Sequence, residues 1–163
     1  MPHETDQEIE TEFLFEARVT LDPVPIEVGA TPDGHRAIYV VTGGTFDGPK
    51  LRGRVLPAAG ADWVRQRPDG AFHLDVRFCL ETHDGAVLYL HWNGRFHAAP
   101  EDLEYATDQS KADDPAGAHR YYFRTAPQFE TGDERYAWLN NIIAVSTSRT
   151  GDGGVIHRVF AVK

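Results

Sequence analysis

Four side chains able to hold or move a proton fall at alternate positions in two neighbouring stretches of the sequence. Asp75 and Arg77 lie in the first stretch, and Tyr89 and His91 lie in the second. In a pocket that excludes water, the Asp75 carboxylate would become a stronger base. Arg77, together with Arg124 from a later segment, would stabilise developing negative charge, and Tyr89 or Tyr122 would donate a proton. The set predicts acid–base catalysis by Asp75, Arg77 and Tyr89, with His91 as a ligand contact.

A second candidate region, residues 121–141, is rich in aromatic residues and arginine. The Arg124 guanidinium could hold a carboxylate or enolate oxygen, and Tyr122 shares its strand face. The alternative for Arg124 is a structural ion pair with Glu130 or Asp133. Tyr136 and Trp138 could instead be packing anchors. The ligand contacts predicted from this region are Tyr122, Arg124, Trp138 and Asn140.

Paired glycines begin the segment Gly43-Gly44-Thr45-Phe46, which resembles a phosphate-binding loop in composition only. It lacks the lysine and serine of a P-loop, and no helix is predicted after it. A β-bulge or a tight turn explains the glycines without a ligand. Because paired glycines also let a ligand approach the backbone, Gly43 and Phe46 are predicted as ligand contacts.

The spacing of the residues gives little support to a metal site or to a serine or cysteine nucleophile. The eight histidines contain no pair spaced as in a zinc finger or a metalloprotease helix, so no metal site is predicted. No Gly-x-Ser-x-Gly elbow is present, and Cys79 is expected mid-strand as a small packing residue. We therefore expect a reaction that uses neither a metal nor a cofactor.

The loop His83-Asp84-Gly85 fixes how the strands that carry the first candidate set pair. A three-residue hairpin loop ends in a left-handed residue, which suits Gly85, so Thr82 should face Ala86. One face then carries Leu74, Val76, Phe78, Leu80, Leu88, Leu90 and Trp92, and the other carries Asp75, Arg77, Cys79, Glu81, Tyr89, His91 and Asn93. Two orientations stay open: the polar face lines a pocket, or it meets solvent while the apolar face fills the interior.

Period-two alternation and frequent turn signals predict an all-β fold. The predicted strands cover residues 12–21, 35–42, 51–56, 61–67, 71–82, 86–95, 121–125, 140–148 and 155–162, with a short helix at 100–106. We expect a closed antiparallel up-and-down β-barrel of about eight to ten strands, because closure removes exposed sheet edges. Residues 1–11 should form a flexible tail and residues 12–163 a single domain.

The amino-acid composition indicates which kinds of molecule the protein is expected to bind. The 163 residues carry 16 lysines and arginines against 25 aspartates and glutamates, a formal charge of −9. Such a surface disfavours nucleic acid and anionic membranes. The lone cysteine, the polar N-terminus and the lack of a long apolar segment favour the cytoplasm. The expected partner is a small-molecule ligand.

Three groups of motifs together resemble a known family over residues 12–162. They are Thr42–Pro49 with Leu51-Arg52-Gly53 and Ala61-Asp62-Trp63; Asp75-Val76-Arg77 with Asp84-Gly85-Ala86 and Tyr89; and Tyr122–Thr125 with Phe129–Gly132 and Tyr136–Asn140. The sequence resembles domain-of-unknown-function family 3237, also called uncharacterised protein family 0311. The resemblance implies a small closed β-barrel, often in a homo-oligomer, with a dimer as first expectation. It assigns no catalytic residue, and His91-Trp92-Asn93 departs from the Arg- and Asn-containing stretch expected there.

Three functions fit these residues. The first is a cofactor-independent isomerase, cyclase or lyase acting on a small, partly apolar oxygenated molecule inside the barrel. The second is a barrel that binds such a molecule without changing it. The third is a structural protein whose barrel is filled.

Overall fold

A computed structural model describes residues 8–57 and 60–163 of the chain. It contains ten strands: β1 (Thr11–Leu21), β2 (Ile26–Thr31), β3 (Gly34–Asp47), β4 (Gly53–Val55), β5 (Ala61–Gln66), β6 (Phe72–Thr82), β7 (Val87–Ala98), β8 (Tyr121–Glu130), β9 (Ala144–Gly151) and β10 (Gly154–Val162). One short α-helix, α1 (Leu103–Thr107), continues a 3₁₀ turn at Pro100–Asp102. Two further 3₁₀ segments span Pro115–Arg120 and Glu134–Asn141.

The sheet closes on itself through β1. Strands β6 to β10 follow one another as antiparallel neighbours, and β10 pairs with β1. Along its other edge β1 pairs with β3, while β4 and β5 fill the place between β3 and β6. The result is an eight-stave barrel with β2 as an extra strand on β3, which confirms the predicted closed antiparallel fold.

Alternation along the strands decides which side chains fill the barrel. In β1, Phe15, Ala17 and Val19 are buried while Glu16 and Arg18 between them are partly exposed. The interior continues through Phe78, Leu80, Leu88, Leu90 and Trp92, each fully buried. Burial of this apolar set is the main driving force for closure.

The hairpin of β6 and β7 has the predicted register. Leu80 lies opposite Leu88, and the backbone N–H of Thr82 donates to the Ala86 carbonyl oxygen at 2.8 Å. Gly85 has a φ of +89°, the left-handed conformation predicted for the end of its loop. The apolar face of this hairpin points into the barrel, so the second of the two orientations left open is the observed one.

Several boundaries differ from the prediction. Strand β3 continues through Gly43 and Gly44, which were expected to interrupt it, because both glycines pair with β1 directly after a bulge at Thr42. The strand expected at 51–56 shrinks to β4, and β8 runs five residues beyond its predicted end. Strand β2 was missed, since Pro23 and Pro25 suggested only a loop. Residues 140 and 141 are 3₁₀ rather than strand.

Residues 8–10 and the connection between β7 and β8 contain no strand. Of the predicted tail, residues 1–7 lie outside the described residues, and β1 begins at Thr11. The predicted helix is present, with Pro100 in the first turn, where its missing N–H is harmless. Among the described residues, no helix is long and apolar enough to cross a membrane.

The two glycines that follow the β3 bulge should respond differently to a methyl group. Both have positive φ, 146° at Gly43 and 134° at Gly44, so alanine is strained at either position. A Cβ at Gly44 would also lie 1.9 Å from the Arg18 carbonyl oxygen of β1, whereas at Gly43 its nearest neighbour is 3.9 Å away. We expect Gly43→Ala to lower the free energy of unfolding by about 1–2 kcal/mol and Gly44→Ala to lower it considerably more.

Urea unfolding of both variants beside the wild-type chain measures the difference. Equal losses of stability would show that β1 does not approach β3 as closely as the structure indicates.

Candidate functional site

The structure places the predicted catalytic set on the outer wall of the barrel. The side chains of Asp75 and Arg77 are 35% and 44% exposed, and Tyr89 is also exposed. Asp75 Oδ1 lies 3.1 Å from His91 Nε2 and 3.5 Å from an Arg77 guanidinium nitrogen. Asp75, Arg77 and His91 do come together, in a solvated network outside the barrel, and Tyr89 shares their face opposite Cys79. Their proposed roles remain predictions without a pocket around them.

The remaining predicted contacts are dispersed. Gly43 pairs with Thr20 of β1 next to the bulge in β3, and Phe46 is buried in the core against Phe15. The Asn140 side chain makes two hydrogen bonds with the backbone of Thr131. It accepts from the Thr131 N–H at 2.8 Å and donates to the Thr131 carbonyl oxygen at 2.9 Å.

Of the predicted contacts near β8, Tyr122 and Arg124 lie together, with the guanidinium carbon 5.2 Å from the centre of the Tyr122 ring. Tyr122 and Arg124 are exposed on the outer wall. Arg124 forms neither of the ion pairs considered for it and donates to the Phe123 carbonyl oxygen at 2.8 Å. Trp138 packs against the core beside Lys50, and Tyr136 is a buried anchor whose hydroxyl donates to Asp84. The structure therefore does not gather the predicted contacts around one ligand.

A cavity at one end of the barrel has the features of a ligand-binding site. At the end of the barrel where β1 finishes and β10 begins, the interior opens into a cavity of about 70 Å³. Its wall is mainly apolar and aromatic, with a few polar groups. It is lined by Leu21, Tyr39, Asp62, Val64, Phe72, Leu74, Phe96, Thr107, Gln109, Phe123, Thr150 and Val155. We call this cavity the barrel mouth.

Asp62 on β5 is the buried carboxyl group of the barrel mouth. Its residue is only 8% exposed, and burial raises its pKa from 3.8 to about 7. The backbone N–H of Asp75 donates to Asp62 Oδ1 at 3.3 Å and partly opposes this rise, as does the charge of Arg36. The Asp75 carboxylate across the wall raises the pKa further. A carboxyl group with a pKa near 7 can both give and take a proton at neutral pH.

Tyr39 brings a phenol to the same cavity. It lies directly opposite Asp62 in the pairing of β3 with β5, so both side chains point to the interior. Burial raises the pKa of Tyr39, and the negative charges of Glu27 and Asp62 raise it further, so the phenol keeps its proton at neutral pH. A second hollow of about 280 Å³ shares Tyr39, Thr107 and Gln109 with the barrel mouth and leads outward past Pro23 and Pro25.

The segment that follows β7 is fastened over the barrel mouth by Thr150 on β9. The Thr150 hydroxyl donates to the Ala106 carbonyl oxygen of α1 at 2.7 Å and accepts from the Lys111 ammonium group at 2.5 Å. The Thr150 N–H donates to the Tyr121 hydroxyl at 3.1 Å. These bonds hold Thr107 and Gln109 at the rim of the barrel mouth.

Deeper in the barrel, a chain of hydroxyl groups ends on a histidine. Thr125 bonds Ser146 at 2.5 Å, Ser146 bonds Ser148 at 2.9 Å, and Ser148 bonds Nδ1 of His157 at 2.7 Å. Burial lowers the pKa of His157 to about 3, so the imidazole is neutral. Every member of the chain finds a polar partner inside the barrel, which is what a stable core requires.

Asp62 was not among the candidate residues, although a signal existed. It lies two residues before Val64 in the strand predicted at 61–67, so the two share a face. A carboxylate on the apolar face of a short strand indicates either a register error or a buried acid. Among the described residues, no three His, Cys, Asp or Glu side chains cluster as metal ligands.

Comparison with known proteins identifies the family. The family model described as "Protein of unknown function (DUF3237)" matches residues 9–162. The chain belongs to this family. A UPF0311 protein of Bradyrhizobium diazoefficiens is 34% identical over 155 residues, which cover 93% of this chain and 97% of that protein. A β-barrel-like protein of Acinetobacter baumannii superposes with a TM-score of 0.82 at 37% identity, covering 99% of this chain and all of that chain.

A more distant relative has a named activity. The hydroalkoxylation enzyme phnH of Penicillium herquei is 27% identical over 136 residues, which cover 83% of this chain and 72% of that enzyme. The barrel is thus related, at a distance, to an enzyme named for a reaction of small organic molecules.

Replacing Asp62 by asparagine should change how stability depends on pH. Because the folded-state pKa is about 7 and the ordinary value is 3.8, the folded chain holds this proton more tightly than the unfolded chain. Asp62 therefore lowers the stability of the wild-type chain as pH rises from about 4 to about 7. We expect Asp62→Asn to match the wild-type chain near pH 4 and to be more stable above pH 7, by at most about 4 kcal/mol.

Urea unfolding at several pH values measures this, with Asp47→Asn on the exposed end of β3 as the matched control. A stability difference that is the same at pH 4 and pH 8 would contradict a raised pKa at Asp62.

Proposed function

We propose that this family member is a cofactor-independent enzyme that uses Asp62 for acid–base chemistry on a small, partly apolar oxygenated molecule at the barrel mouth. The observation that carries the proposal is a carboxyl group with a pKa near 7 inside an apolar cavity. Within the classes expected from the sequence, we propose cyclisation or the related addition of a hydroxyl group across a carbon–carbon double bond. The name of the Penicillium relative supports this choice.

Asp62 alone can catalyse such an addition and end in the protonation state in which it began. The protonated carboxyl group donates its proton to one alkene carbon while the substrate oxygen attacks the other carbon. A C–O bond and a C–H bond form, and the O–H bond and the C=C π bond break. The substrate hydroxyl proton returns to the carboxylate, so Asp62 is regenerated. No electrons are gained or lost overall.

The surroundings of Asp62 suit this chemistry. Phe72, Phe96 and Phe123 provide an apolar wall, which favours an unsaturated or aromatic substrate and excludes competing water. The Tyr39 phenol is placed to donate a hydrogen bond to a substrate oxygen on the side facing Asp62. Because the cavity holds only about 70 Å³, the reacting end of the substrate occupies it and the rest extends into the outer hollow along Tyr39.

The proposal distinguishes two aspartates that lie on opposite sides of the barrel wall. With alkenyl phenols and alkenyl alcohols as probe substrates, Asp62→Asn should lower kcat at least about a hundredfold, because the proton carrier is lost. Asp75→Asn should retain turnover. Its pH profile should move to lower pH, because the Asp75 charge helps to raise the pKa of Asp62.

Product formation followed by mass spectrometry over pH 5 to 9 provides the measurement, and Asp47→Asn is again the control. Full turnover by Asp62→Asn would overturn the proposal. Loss of turnover in Asp75→Asn alone would instead favour the outer-wall set predicted from the sequence. Recovery of bound but unchanged probes from the wild-type chain would favour the binding function.

A further inference from the structure

A row of arginines crosses the outer wall of the barrel at one level. Successive cross-strand partners along this level are Arg36 on β3, Arg65 on β5, His73 on β6, Arg95 on β7, Arg124 on β8, Thr147 on β9 and Arg158 on β10. We call Arg36, Arg65, Arg95, Arg124 and Arg158 the arginine row. Like charges directly opposite each other on neighbouring strands destabilise a sheet, so this arrangement needs a physical explanation.

The arginine row has no carboxylate partners within the described part of the chain. None of its five arginines forms an ion pair, whereas seven of the other eight arginines do. Arg95 and Arg124 instead donate to the neighbouring backbone carbonyl oxygens of Gly94 and Phe123. Glu16 on β1 lies directly opposite Arg158, but its carboxylate pairs with Arg18 and Arg149 instead.

At Arg124 and Arg158 the row borders a hollow of about 440 Å³ on the outer wall. Two further arginines in this hollow, Arg18 and Arg149, are already neutralised by Glu16 and Asp113. Asp113 accepts from Arg149 at 2.5 and 2.7 Å and from Arg18 at 3.0 Å. Glu16 accepts from Arg18 at 2.8 Å, and Arg18 also pairs with Asp152. The charges of Arg124 and Arg158 are therefore not neutralised by either of these carboxylates.

The spacing of the two unpaired arginines fits a single anionic group. Thr147 separates them, and neighbouring strands are about 4.8 Å apart, so their Cα atoms lie about 10 Å apart. Two arginine side chains can converge across that distance on one phosphate, with the exposed Thr147 hydroxyl as a further donor. The His119 imidazole lies in the same hollow. Four arginines and two carboxylates, Glu16 and Asp113, line this hollow, so its net charge favours an anion.

We propose that this hollow is a binding site for a dianion of the phosphate class, separate from the barrel mouth and independent of the reaction proposed there. Its occupant is inorganic phosphate or the phosphate group of a small metabolite. Binding neutralises Arg124 and Arg158, because Glu16 and Asp113 in the same hollow are already paired with Arg18 and Arg149.

The test is a titration with sodium phosphate at constant ionic strength, followed by heteronuclear NMR and by the melting temperature. We expect saturable shifts at Thr147 and its neighbours and a rise in melting temperature with phosphate. Arg124→Gln and Arg158→Gln should each weaken binding about tenfold. Arg52→Gln is the matched control, since Arg52 is the remaining arginine without an ion pair in the described residues and lies outside the row.

A second titration with glycerol phosphate distinguishes a metabolite phosphate from the free ion. If the occupant is the phosphate group of a metabolite, glycerol phosphate should bind more tightly than inorganic phosphate. Either preference is compatible with the proposed site. An equal loss of affinity in Arg52→Gln would overturn the proposal, because it would show a diffuse charge effect. Shifts that grow linearly with phosphate without saturation would overturn it as well.

Discussion

Closure of the barrel depends on the close approach of Gly44 in β3 to the Arg18 carbonyl oxygen in β1. A side chain at Gly44 would place its Cβ 1.9 Å from that oxygen. The bulge at Thr42, directly before Gly43 and Gly44, lets β3 pair with β2 and β5 along its first half and with β1 and β4 along its second. Without this bend, one strand could not serve two neighbours on each edge, and β1 would have no second partner.

Once the sheet is closed, its wall is one strand thick, and alternation assigns every side chain to the inside or the outside. The interior of an eight-stave barrel holds just enough space for apolar side chains, so polar groups are admitted only where they have partners or a function. The hydroxyl chain that ends at His157 has partners. Asp62 has one backbone donor and an apolar cavity beside it, and the resulting cost of ionisation raises its pKa to about 7.

Much of this fold follows from the sequence alone. The loop at Gly85 and the alternation in β6 and β7 were sufficient to predict their register, and turn signals located most of the strands. These features are local, because the period of two and the conformation of a glycine depend on adjacent residues. Strand β2 and the continuation of β3 through its glycines depend on pairing with distant segments, and the sequence pattern misassigned both.

The candidate site was harder to predict because alternation sorts residues into two faces without saying which face is inside. Asp75 and His91 were correctly placed together, but the choice between wall and interior depends on closure of the whole sheet. Asp62 shares a face with Val64 in a strand of six residues, and the pattern of so short a strand leaves a register error and a buried acid as equal explanations.

The two sides of the wall are nevertheless coupled, because only one layer of backbone separates them. The N–H of Asp75 donates inward to Asp62 while its own carboxylate points outward and raises the pKa of Asp62. In turn, Arg77 and His91 contact the Asp75 carboxylate on the outer face. The outer network thus has a physical route to the chemistry of the barrel mouth without touching a substrate. In a one-layer barrel, residues that tune a buried acid can lie on the solvent side of the strand that holds it.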